Sequence, residues 1–471
     1  MIYIDRNLKT SIYLQLYNAL KQKIIEEEPS RTPLTPVRTL ASELKIAKNC
    51  VEQVYQQLSS EGYIYSIPGS GYYRNDVAAD LNQSANLKTP FGVCYETKPS
   101  PPKYNFQYGT LNNSSFPWNK WRKCIRAALL EEEDGPLLEY QESQGLLTLR
   151  KSLVAHLKST RGVNCSPEQI VMCSGIQDAI SILAAIFSPD RYTVGFEDPG
   201  YDGSRNTFLR YRYKIQPIKV EDSGLSISDL SEHKCNLVYV TPSHQFPTGS
   251  IMPVASRNRL LALINDRDGF IIEDDYDSEF RYGSSMSIPS LQSLDNNDRV
   301  IYLGTFSKSF SPTLRVSYMV LPIQLLASYH EQYQNYKTPL PYLTQSALHH
   351  FVSNGFYARH LRKLVLSNEK KYNAIIQTLH EQNYIQPIAS GSGVHILIKI
   401  KTKATHYETL QMLEANEIRL YPTTHYWLDK KRCDPLLFLL GFASMTIEET
   451  KEAIAHLIDV AVNSEIIDPI N

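Results

Sequence analysis

Two apolar segments of this 471-residue chain end in charged side chains. One segment reaches Lys308 and is followed seven residues later by Arg315, whereas the other ends in Asp274 and Tyr276. From about residue 104 onward, apolar strands of this kind alternate with helical stretches, which predicts an α/β domain with a largely parallel sheet. Ligands gather at the carboxyl edge of such a sheet, so these side chains are candidates for one binding site.

The residue types at these strand ends fit the needs of pyridoxal phosphate (PLP). A lysine amine forms an imine with the aldehyde, an arginine takes the phosphate, and a carboxylate keeps the ring nitrogen protonated. Lys308, Arg315 and Asp274 are the candidates for these three roles, and Tyr276 is a candidate partner of the ring's phenolic oxygen.

Three further strand ends carry candidate binding residues. After the apolar strand that ends at Cys173, the residues Gly175, Ile176 and Gln177 open a helix, where backbone N–H groups and the helix dipole suit a phosphate. Most Ser-Gly turns of this kind are only turns, so this signal is weak alone. Tyr201 follows a Pro-Gly turn and can stack on a flat ring, although a buried tyrosine is the commoner explanation.

The next strand end contains His244, in the segment 241–249. A lone histidine is more often structural than ligand-binding, and that alternative stays open here. Each strand end is a moderate signal, but together they place polar groups at the same edge of successive strands. We therefore include His244 and Ser307, which precedes Lys308, in the candidate cofactor set.

The first 75 residues have the pattern of a winged helix-turn-helix. Apolar residues at helical spacing predict a helix over about 10–27, a second helix that begins near Pro36, and a third from about 48 to 60 that ends at Gly62. Alternating tyrosines around a Pro-Gly-Ser-Gly turn predict a hairpin over about 63–73. A small helical packing or dimerisation module is the alternative explanation.

Candidate DNA contacts lie on the exposed parts of this module. The third helix would present its first residues to base edges in a major groove, and the second would contact a phosphate. The candidates are Arg38, Lys48, Asn49, Glu52 and, at the tip of the wing, Gly69 and Ser70. Because residues 1–80 contain as many acidic as basic side chains, such a module must place a few cations well and work as two copies.

Composition limits where the protein acts. The seven cysteines are scattered without a C-x-x-C pair, which favours reduced thiols over a disulfide framework or a zinc site. No apolar run reaches about 18 residues and the N-terminus lacks a secretory pattern, so we expect a cytoplasmic protein without a membrane or metal partner. Residues 76–103, which end in a Pro-rich stretch, are predicted to be an exposed linker.

Two segments resemble known families. Residues 34–71 are similar to the DNA-binding block of GntR-type bacterial regulators, with Thr35-Pro36 and Ala47-Lys48 as departures from the usual pattern. Residues 104–465 resemble a fold-type I, class I aminotransferase, and the segments 197–201, 241–249, 272–280 and 304–308 are similar to those of the MocR/GabR regulators. In that subfamily a winged helix-turn-helix is fused to an aminotransferase-like domain.

The resemblance implies a fold and a set of roles. The expected architecture is a winged helix-turn-helix over residues 1–75 and a PLP-binding aminotransferase fold over 104–471, with a small subdomain mainly at about 360–465. It implies that Lys308 forms the aldimine, that Asp274 holds the ring nitrogen and that Tyr201 stacks on the ring. By the same resemblance, Gly175, Ile176, Gln177, Ser307 and Arg315 surround the phosphate, and the chain forms a head-to-tail homodimer on an operator with two half-sites.

Two arginines that bind a substrate carboxylate in the family have no counterpart at the matching positions. Ser444 and Gly203 stand there, unless Arg205, Arg419 or Arg432 takes over this role. Losing a bidentate carboxylate contact costs about 1.5–3 kcal/mol, so ordinary amino acids become poor effectors.

Three functions remain to be compared. The leading hypothesis is a DNA-binding regulator that senses PLP, alone or with a small amine. The alternatives are a working aminotransferase with a DNA anchor, against which the missing arginine argues, and a regulator that uses the domain only as a dimerisation scaffold, against which the complete cofactor set argues.

Overall fold

The structure is a computed structural model. It describes residues 2–6, 8, 10–26, 33–75, 102–131, 139–283, 288–388 and 391–463. The chain divides into two compact units, Met1–Pro99 and Ser100–Asn471. The predicted linker 76–103 lies outside the described residues except for its last two positions.

The first unit is a three-helix module followed by a hairpin, as the sequence predicts. Its helices are α1 (Ile12–Glu26), α2 (Val37–Leu44) and α3 (Lys48–Ser60), and its antiparallel strands are β1 (Ile64–Ile67) and β2 (Gly71–Arg74). The helices form because apolar residues recur every three or four positions, and the buried stripe of α3 consists of Val51, Val54, Tyr55 and Leu58. The C-cap of α3 is Glu61, one position earlier than the predicted C-cap Gly62, which follows it with φ +79°.

The second unit contains alternating helices and strands. The strands are β3 (Tyr104–Asn105), β4 (Ile170–Cys173), β5 (Thr193–Asp198), β6 (Lys214–Glu221), β7 (Gly224–Leu225), β8 (Leu237–Val240), β9 (Phe270–Asp275), β10 (Val300–Thr305), β11 (Ser317–Val320), β12 (Ile385–Ile388), β13 (His395–Ile400), β14 (Ile418–Arg419), β15 (Tyr421–Pro422) and β16 (Leu437–Gly441). The helices are α4 (Trp118–Leu130), α5 (Leu147–Arg161), α6 (Ile176–Ile186), α7 (Asp202–Arg210), α8 (Ile227–Glu232), α9 (Val254–Asp266), α10 (Ile323–Tyr333), α11 (Tyr342–Ser353), α12 (Phe356–His380), α13 (His406–Ala415) and α14 (Ile447–Asn463).

A central sheet of eight strands dominates this unit. Its order is β4-β11-β10-β9-β8-β5-β6-β7, and the pairs from β10 through β9, β8 and β5 to β6 are all parallel. Strands such as β8 are buried along their whole length because apolar clusters pack against both faces of the sheet. The predicted, largely parallel α/β domain is therefore confirmed.

A second, four-stranded antiparallel sheet of order β12-β13-β16-β15 forms the smaller part of this unit. Its apolar core includes residues of α12 and α14 and also residues far away in sequence, such as Tyr104 and Phe106. These residues reach it because β3 pairs in parallel with β14, so that Tyr104 lies opposite Ile418. The start of the unit thus belongs to the smaller part, which the sequence does not reveal.

No helix in the described ranges is both long and apolar enough to cross a membrane.

Candidate functional site

The carboxyl ends of the parallel strands border a cavity with about 580 Å³ of empty space, part of which is open to solvent. Its walls come from the ends of β9 and β10 and the residues that follow them, from the segments after β3, β5 and β8, and from the start of α6. The lining residues are Tyr108, Ile176, Gln177, Tyr201, Thr241, Phe246, Asp274, Tyr276, Thr305, Ser307, Lys308 and Arg315. Eight of the ten predicted cofactor residues therefore lie in one cavity, and Gly175 and His244 lie next to it.

Lys308 follows the end of β10 and places its amine at the cavity wall. Burial lowers the pKa of Lys308 to about 8, although Asp277 and Asp274 oppose the shift. Its Nζ atom lies 3.8 Å from the centroid of the Tyr108 ring. An amine with this pKa is partly neutral near physiological pH, which is the form that attacks a carbonyl carbon.

Asp274 has a buried carboxylate, and a described residue forms a hydrogen bond with only one of its two oxygens. The Tyr239 hydroxyl donates a hydrogen bond to its Oδ2 atom, whereas Oδ1 has no hydrogen-bond partner among the described residues. Burial raises the pKa of Asp274 to about 7. A buried, unsatisfied carboxylate oxygen is costly, so this site favours a ligand that brings a cationic N–H group.

Arg315 and Gly175 form a cradle at the start of α6. Gly175 has φ +91°, and a Cβ atom built on it would lie 2.2 Å from a guanidinium nitrogen of Arg315. Only glycine therefore fits at this position while Arg315 keeps its place. The N–H groups of Ile176 and Gln177 begin the helix here, so the cradle combines a guanidinium with a helix N-terminus, an arrangement that suits a phosphate.

The Tyr276 hydroxyl contacts His244, which lies outside the cavity. The Nδ1 atom of His244 lies 2.9 and 3.0 Å from the two carboxylate oxygens of Asp277 and 3.1 Å from the Tyr276 hydroxyl. Because Asp277 only accepts, Nδ1 carries the proton. His244 is therefore placed to orient Tyr276 from outside the cavity, a finer role than the sequence could assign.

Tyr201 forms a side wall, and Gly203 makes room for it. A Cβ atom at Gly203 would lie 2.5 Å from the Tyr201 ring. Any larger residue at this position, including the arginine that the family resemblance implies, would require the tyrosine to move.

The arginines considered as replacements make contacts elsewhere. Arg205 donates to the backbone oxygens of His425 and Tyr426, at 2.8 and 2.9 Å, and so fixes a loop. Arg432 pairs with Asp198 at 3.0 Å. The remaining candidate, Arg419, is paired with Glu414. None of the three lines the cavity.

Several cavity residues could not be singled out from the sequence. Thr241 and Phe246 lie within the segment 241–249. That segment as a whole indicates a binding region, but its pattern does not mark these two residues individually. Tyr108 carries no periodic or motif signal, and Gly109 beside it leaves space for Lys308, since a Cβ there would lie 2.3 Å from Nζ. Tyr239, the partner of Asp274, has the sequence pattern of an ordinary core residue of β8.

The predicted DNA contacts lie on the surface of the first unit. Arg38, Lys48 and Asn49 are exposed, and so are Gly69 and Ser70 at the hairpin turn. Lys48 forms an ion pair with Glu52, four residues along α3, at 2.9 Å. Ser70 shares a hydrogen bond with the Tyr73 hydroxyl.

Comparisons with known proteins agree with both halves of this description. The model for aminotransferase class I and II matches residues 110–457. An uncharacterized HTH-type transcriptional regulator of Bacillus subtilis, YdeL, is 35% identical over 97% of this chain and 98% of its own length. The probable rhizopine catabolism regulatory protein MocR of Rhizobium meliloti is 31% identical over 87% of this chain and 86% of its own.

A solved structure supports the fold. The α-aminoadipate aminotransferase LysN from Thermus thermophilus superposes with a TM-score of 0.68 over 76% of this chain and 92% of the enzyme, at 22% identity. This likeness establishes an aminotransferase fold for the second unit. Together with the full-length regulators above, it shows that the chain belongs to the MocR-type family of HTH transcriptional regulators, which carry an aminotransferase class I and II domain.

Proposed function

We propose that this regulator binds PLP at Lys308 and that its DNA binding responds to PLP, alone or together with a small amine. The observation that carries the proposal is the convergence of Lys308, Asp274 and Arg315 on one cavity. These are three different chemistries from two strand-end segments, the end of β9 and the connection from β10 to β11, and PLP is the ligand that uses all of them.

Each end of the cavity fits one part of PLP. The Gly175–Arg315 cradle and the first N–H groups of α6 would hold the phosphate, with Ser307 beside them. The unpartnered oxygen of Asp274 would accept a hydrogen bond from the protonated ring nitrogen. When bound, PLP supplies an aldehyde carbon that takes an amine nitrogen and a ring that withdraws electrons from it.

The remaining residues would orient the cofactor and exclude water. Tyr201 would lie against the ring, and Tyr276, fixed by His244, would donate to the phenolic oxygen. Lys308 would provide the amine for the aldehyde, helped by a pKa that burial lowers to about 8. We infer that these residues hold PLP for sensing, since a site without a carboxylate arginine holds an amino acid too loosely for efficient proton transfer.

Ligand binding can change DNA binding only by favouring one arrangement of the protein over another. We propose a head-to-tail homodimer with two winged helices on an operator of two half-sites. In this scheme Arg38, Lys48, Asn49 and Glu52 face the major groove or its phosphates, and the wing residues Gly69 and Ser70 contact the adjacent backbone.

The first test is the visible absorption spectrum of the purified full chain during titration with PLP. We expect a yellow band in the wild type and no such band in Lys308→Ala. DNA fragments that the protein itself selects from a random pool would then be bound with and without PLP. A PLP-dependent change in affinity in the wild type, absent from Lys308→Ala, supports the proposal.

The matched control is Lys337→Ala, which removes an exposed lysine of the same unit and should leave both readouts intact. A wild-type protein that stays colourless refutes PLP binding. A Lys308→Ala protein that keeps the full DNA response refutes sensing through Lys308 and favours the scaffold hypothesis. Release of keto acid over many turnovers would favour the aminotransferase hypothesis instead.

A further inference from the structure

The amine of Lys308 lies against the residues Tyr108 and Gly109. Its Nζ atom is 3.8 Å from the centroid of the Tyr108 ring, which is within the range of a cation–π contact. Gly109 makes room for the amine, since a Cβ atom there would lie 2.3 Å from Nζ. We call Tyr108 and Gly109 the lysine seat, because together they determine where the free amine can lie.

The lysine seat favours the charged form of the amine. The face of an aromatic ring attracts a cation, and this attraction is strongest where water is excluded. Burial, followed by the nearby Asp277, raises the pKa of the Tyr108 phenol well above its ordinary value, so the ring itself stays neutral. Asp277 and Asp274 also attract the Lys308 ammonium group, whereas Arg315 repels it. Because the ammonium form exists only while Lys308 is free, the seat stabilises the free lysine.

Other aromatic rings hold the Tyr108 ring in place. Its centroid lies 5.2 Å from that of Phe246, 6.4 Å from that of Tyr276 and 5.0 Å from that of His395, and the last two contacts are edge-on. Aromatic pairs at such distances stabilise the packing beyond the area that they bury. The Tyr108 ring therefore keeps a fixed face toward Nζ.

The lysine seat belongs to the smaller part of the unit, whereas Lys308 belongs to the large part. The strand that precedes the seat, β3, pairs with β14, and Gly441 at the end of β16 donates its backbone N–H to the Phe106 oxygen at 2.9 Å. A Cβ atom on Gly441 would lie 2.8 Å from the backbone of Tyr108, so the seat rests directly on β16. Lys308 lies between β10 and β11 of the central sheet. The contact of Nζ with the seat therefore joins the two parts.

We propose that the lysine seat holds the Lys308 ammonium group after a primary amine has displaced it from PLP, and that this contact then fixes the smaller part of the unit against the large part. The inference rests on the proposed function, because the displacement needs PLP at Lys308. In the exchange, a C=N bond to the amine forms as the C=N bond to Lys308 breaks. Three protons of the incoming ammonium ion pass to the lysine nitrogen, and no oxidant is needed.

The seat would let the chain distinguish PLP alone from PLP with an amine. With PLP alone, the nitrogen of Lys308 is bound to the aldehyde carbon, and no ammonium group occupies the seat. With an amine as well, the seat is occupied and the two parts are joined. The amine thereby favours one arrangement of the unit over another, which is what a change in DNA binding requires.

The first measurement tests the seat itself and needs no PLP. The full chain, stripped of PLP with hydroxylamine, is pulsed with acetic anhydride at a series of pH values, and acetylation of Lys308 is quantified by peptide mass spectrometry. In Tyr108→Leu the ammonium group loses its aromatic partner, so more of the amine is neutral. We expect the rate at pH 7, relative to the plateau at high pH, to be about three- to fivefold higher than in the wild type. Tyr108→Phe restores the ring and should recover the wild-type rate.

The second measurement follows the PLP absorption band of the loaded full chain at pH 7 during titration with propylamine. Tyr108→Leu should need about three- to tenfold more propylamine than the wild type for the same change, because the displaced ammonium group is no longer stabilised. PLP itself should bind Tyr108→Leu at least as tightly as the wild type, since loss of the seat destabilises only the free lysine. A general structural defect would instead weaken PLP binding and the propylamine response together.

A second variant shifts the seat without changing its residues. Gly441→Ala places a methyl group against the Tyr108 backbone and should reduce the propylamine response as Tyr108→Leu does. Gly269→Ala is the matched control, because its methyl group would meet the backbone of Asn236, and neither Gly269 nor Asn236 lines the cavity. Where Tyr108→Leu does not fold, Gly441→Ala and its control carry the same comparison.

The joining of the two parts has a readout of its own. Hydrogen–deuterium exchange of residues 104–109 in the PLP-loaded chain should slow when propylamine is added, because the ammonium group fixes this segment. In Tyr108→Leu this slowing should be absent. Equal slowing in the wild type and in Tyr108→Leu would mean that the seat does not join the two parts.

The outcomes also separate this inference from the proposed function. PLP uptake followed by an equal propylamine response in the wild type and in Tyr108→Leu overturns the seat and leaves PLP binding intact. Unchanged acetylation of Lys308 in Tyr108→Leu overturns the seat as well, whether or not PLP binds. A wild-type chain that takes up no PLP overturns the proposed function and, with it, the exchange at Lys308.

Discussion

The Tyr239 hydroxyl donates a hydrogen bond to one oxygen of Asp274 and leaves the other oxygen buried and without a partner in the described part of the chain. The two residues lie on the neighbouring parallel strands β8 and β9, where the sheet fixes their separation. This hydrogen bond stabilises the charged carboxylate against the burial that raises its pKa to about 7. Tyr239 is therefore placed to keep Asp274 charged for a ring nitrogen.

Replacing Tyr239 with phenylalanine should make PLP binding more sensitive to acid. Without the hydroxyl, the pKa of Asp274 rises further, so the carboxyl becomes protonated, and loses its attraction for a protonated ring nitrogen, at a higher pH. A hydrogen bond to a charged group contributes about 1.5 kcal/mol or more, which corresponds to an upward shift of about one pH unit. The measurement is the intensity of the PLP absorption band as a function of pH.

Tyr302→Phe is the matched control for this variant. Tyr302 donates to Asp275, the next carboxylate on β9, at 2.6 Å, and Asp275 is paired with Arg161 at 2.7 Å instead of lining the cavity. Both variants remove one hydroxyl from one buried aspartate. An equal acid sensitivity in the two would mean that the effect reflects general destabilisation and that Tyr239 has no specific role.

Residues at the ends of parallel strands could be found from the sequence. Asp274 lies at the end of β9, and Lys308 and Arg315 lie in the segment between β10 and β11. Parallel strands bring their carboxyl ends to one edge, so local patterns were sufficient. The prediction that these residues converge is confirmed by the cavity that they share. The identity of the ligand stays a prediction.

Residues that depend on pairing between distant segments could not be found. Tyr108 enters the cavity because Tyr104, four residues earlier, pairs with Ile418 more than 300 positions away. His395 begins a strand of the small sheet and has the pattern of one more core position. Its contact with the backbone oxygen of Pro247 joins the small sheet to a loop of the large sheet. No local periodicity encodes either relationship.

Replacing Gly175 with alanine should weaken binding of PLP but not of pyridoxal, which lacks the phosphate. The added Cβ would displace the Arg315 guanidinium, 2.2 Å away, and so remove the main charge of the cradle. We expect the dissociation constant for PLP to rise on the order of tenfold or more, since a charge-assisted contact is worth about 1.5–3 kcal/mol. Equilibrium titration of both vitamers measures the difference.

Gly224→Ala is the control for backbone strain in this comparison. Gly224 also has a positive φ, +85°, but the nearest atom to an added Cβ is a Met252 side-chain atom at 3.4 Å, and neither residue lines the cavity. Both alanine variants should lose about 1–3 kcal/mol of stability, because a residue with a Cβ atom is strained at a positive φ. If Gly224→Ala weakens PLP binding as much as Gly175→Ala does, the cradle is not responsible.

The rate of PLP uptake by the chain should rise with pH between about 6 and 8 and level off above that range. The neutral amine of Lys308 is the reactive form, and burial lowers the pKa of that amine to about 8 from the ordinary 10.5. Below pH 8 the neutral fraction grows about tenfold with each pH unit. Stopped-flow absorbance measures the rate, with the pH dependence of free lysine and PLP as the reference. A rate that keeps rising past pH 10 would show that Lys308 titrates as an ordinary exposed lysine.

Replacing Glu52 with glutamine should strengthen DNA binding and make it depend more steeply on salt. Glu52 pairs with Lys48 at 2.9 Å on the exposed start of α3, so part of the positive charge offered to DNA is neutralised within the helix. An unpaired Lys48 can neutralise one more phosphate, which adds about 0.9 to the slope of log K against log salt concentration. Fluorescence anisotropy with duplex DNA at several salt concentrations gives that slope. Glu43→Gln removes the same charge from α2 and leaves the Lys48–Glu52 pair in place, so its slope should match the wild type. If both variants steepen the slope equally, net charge and not the Lys48–Glu52 pair controls binding.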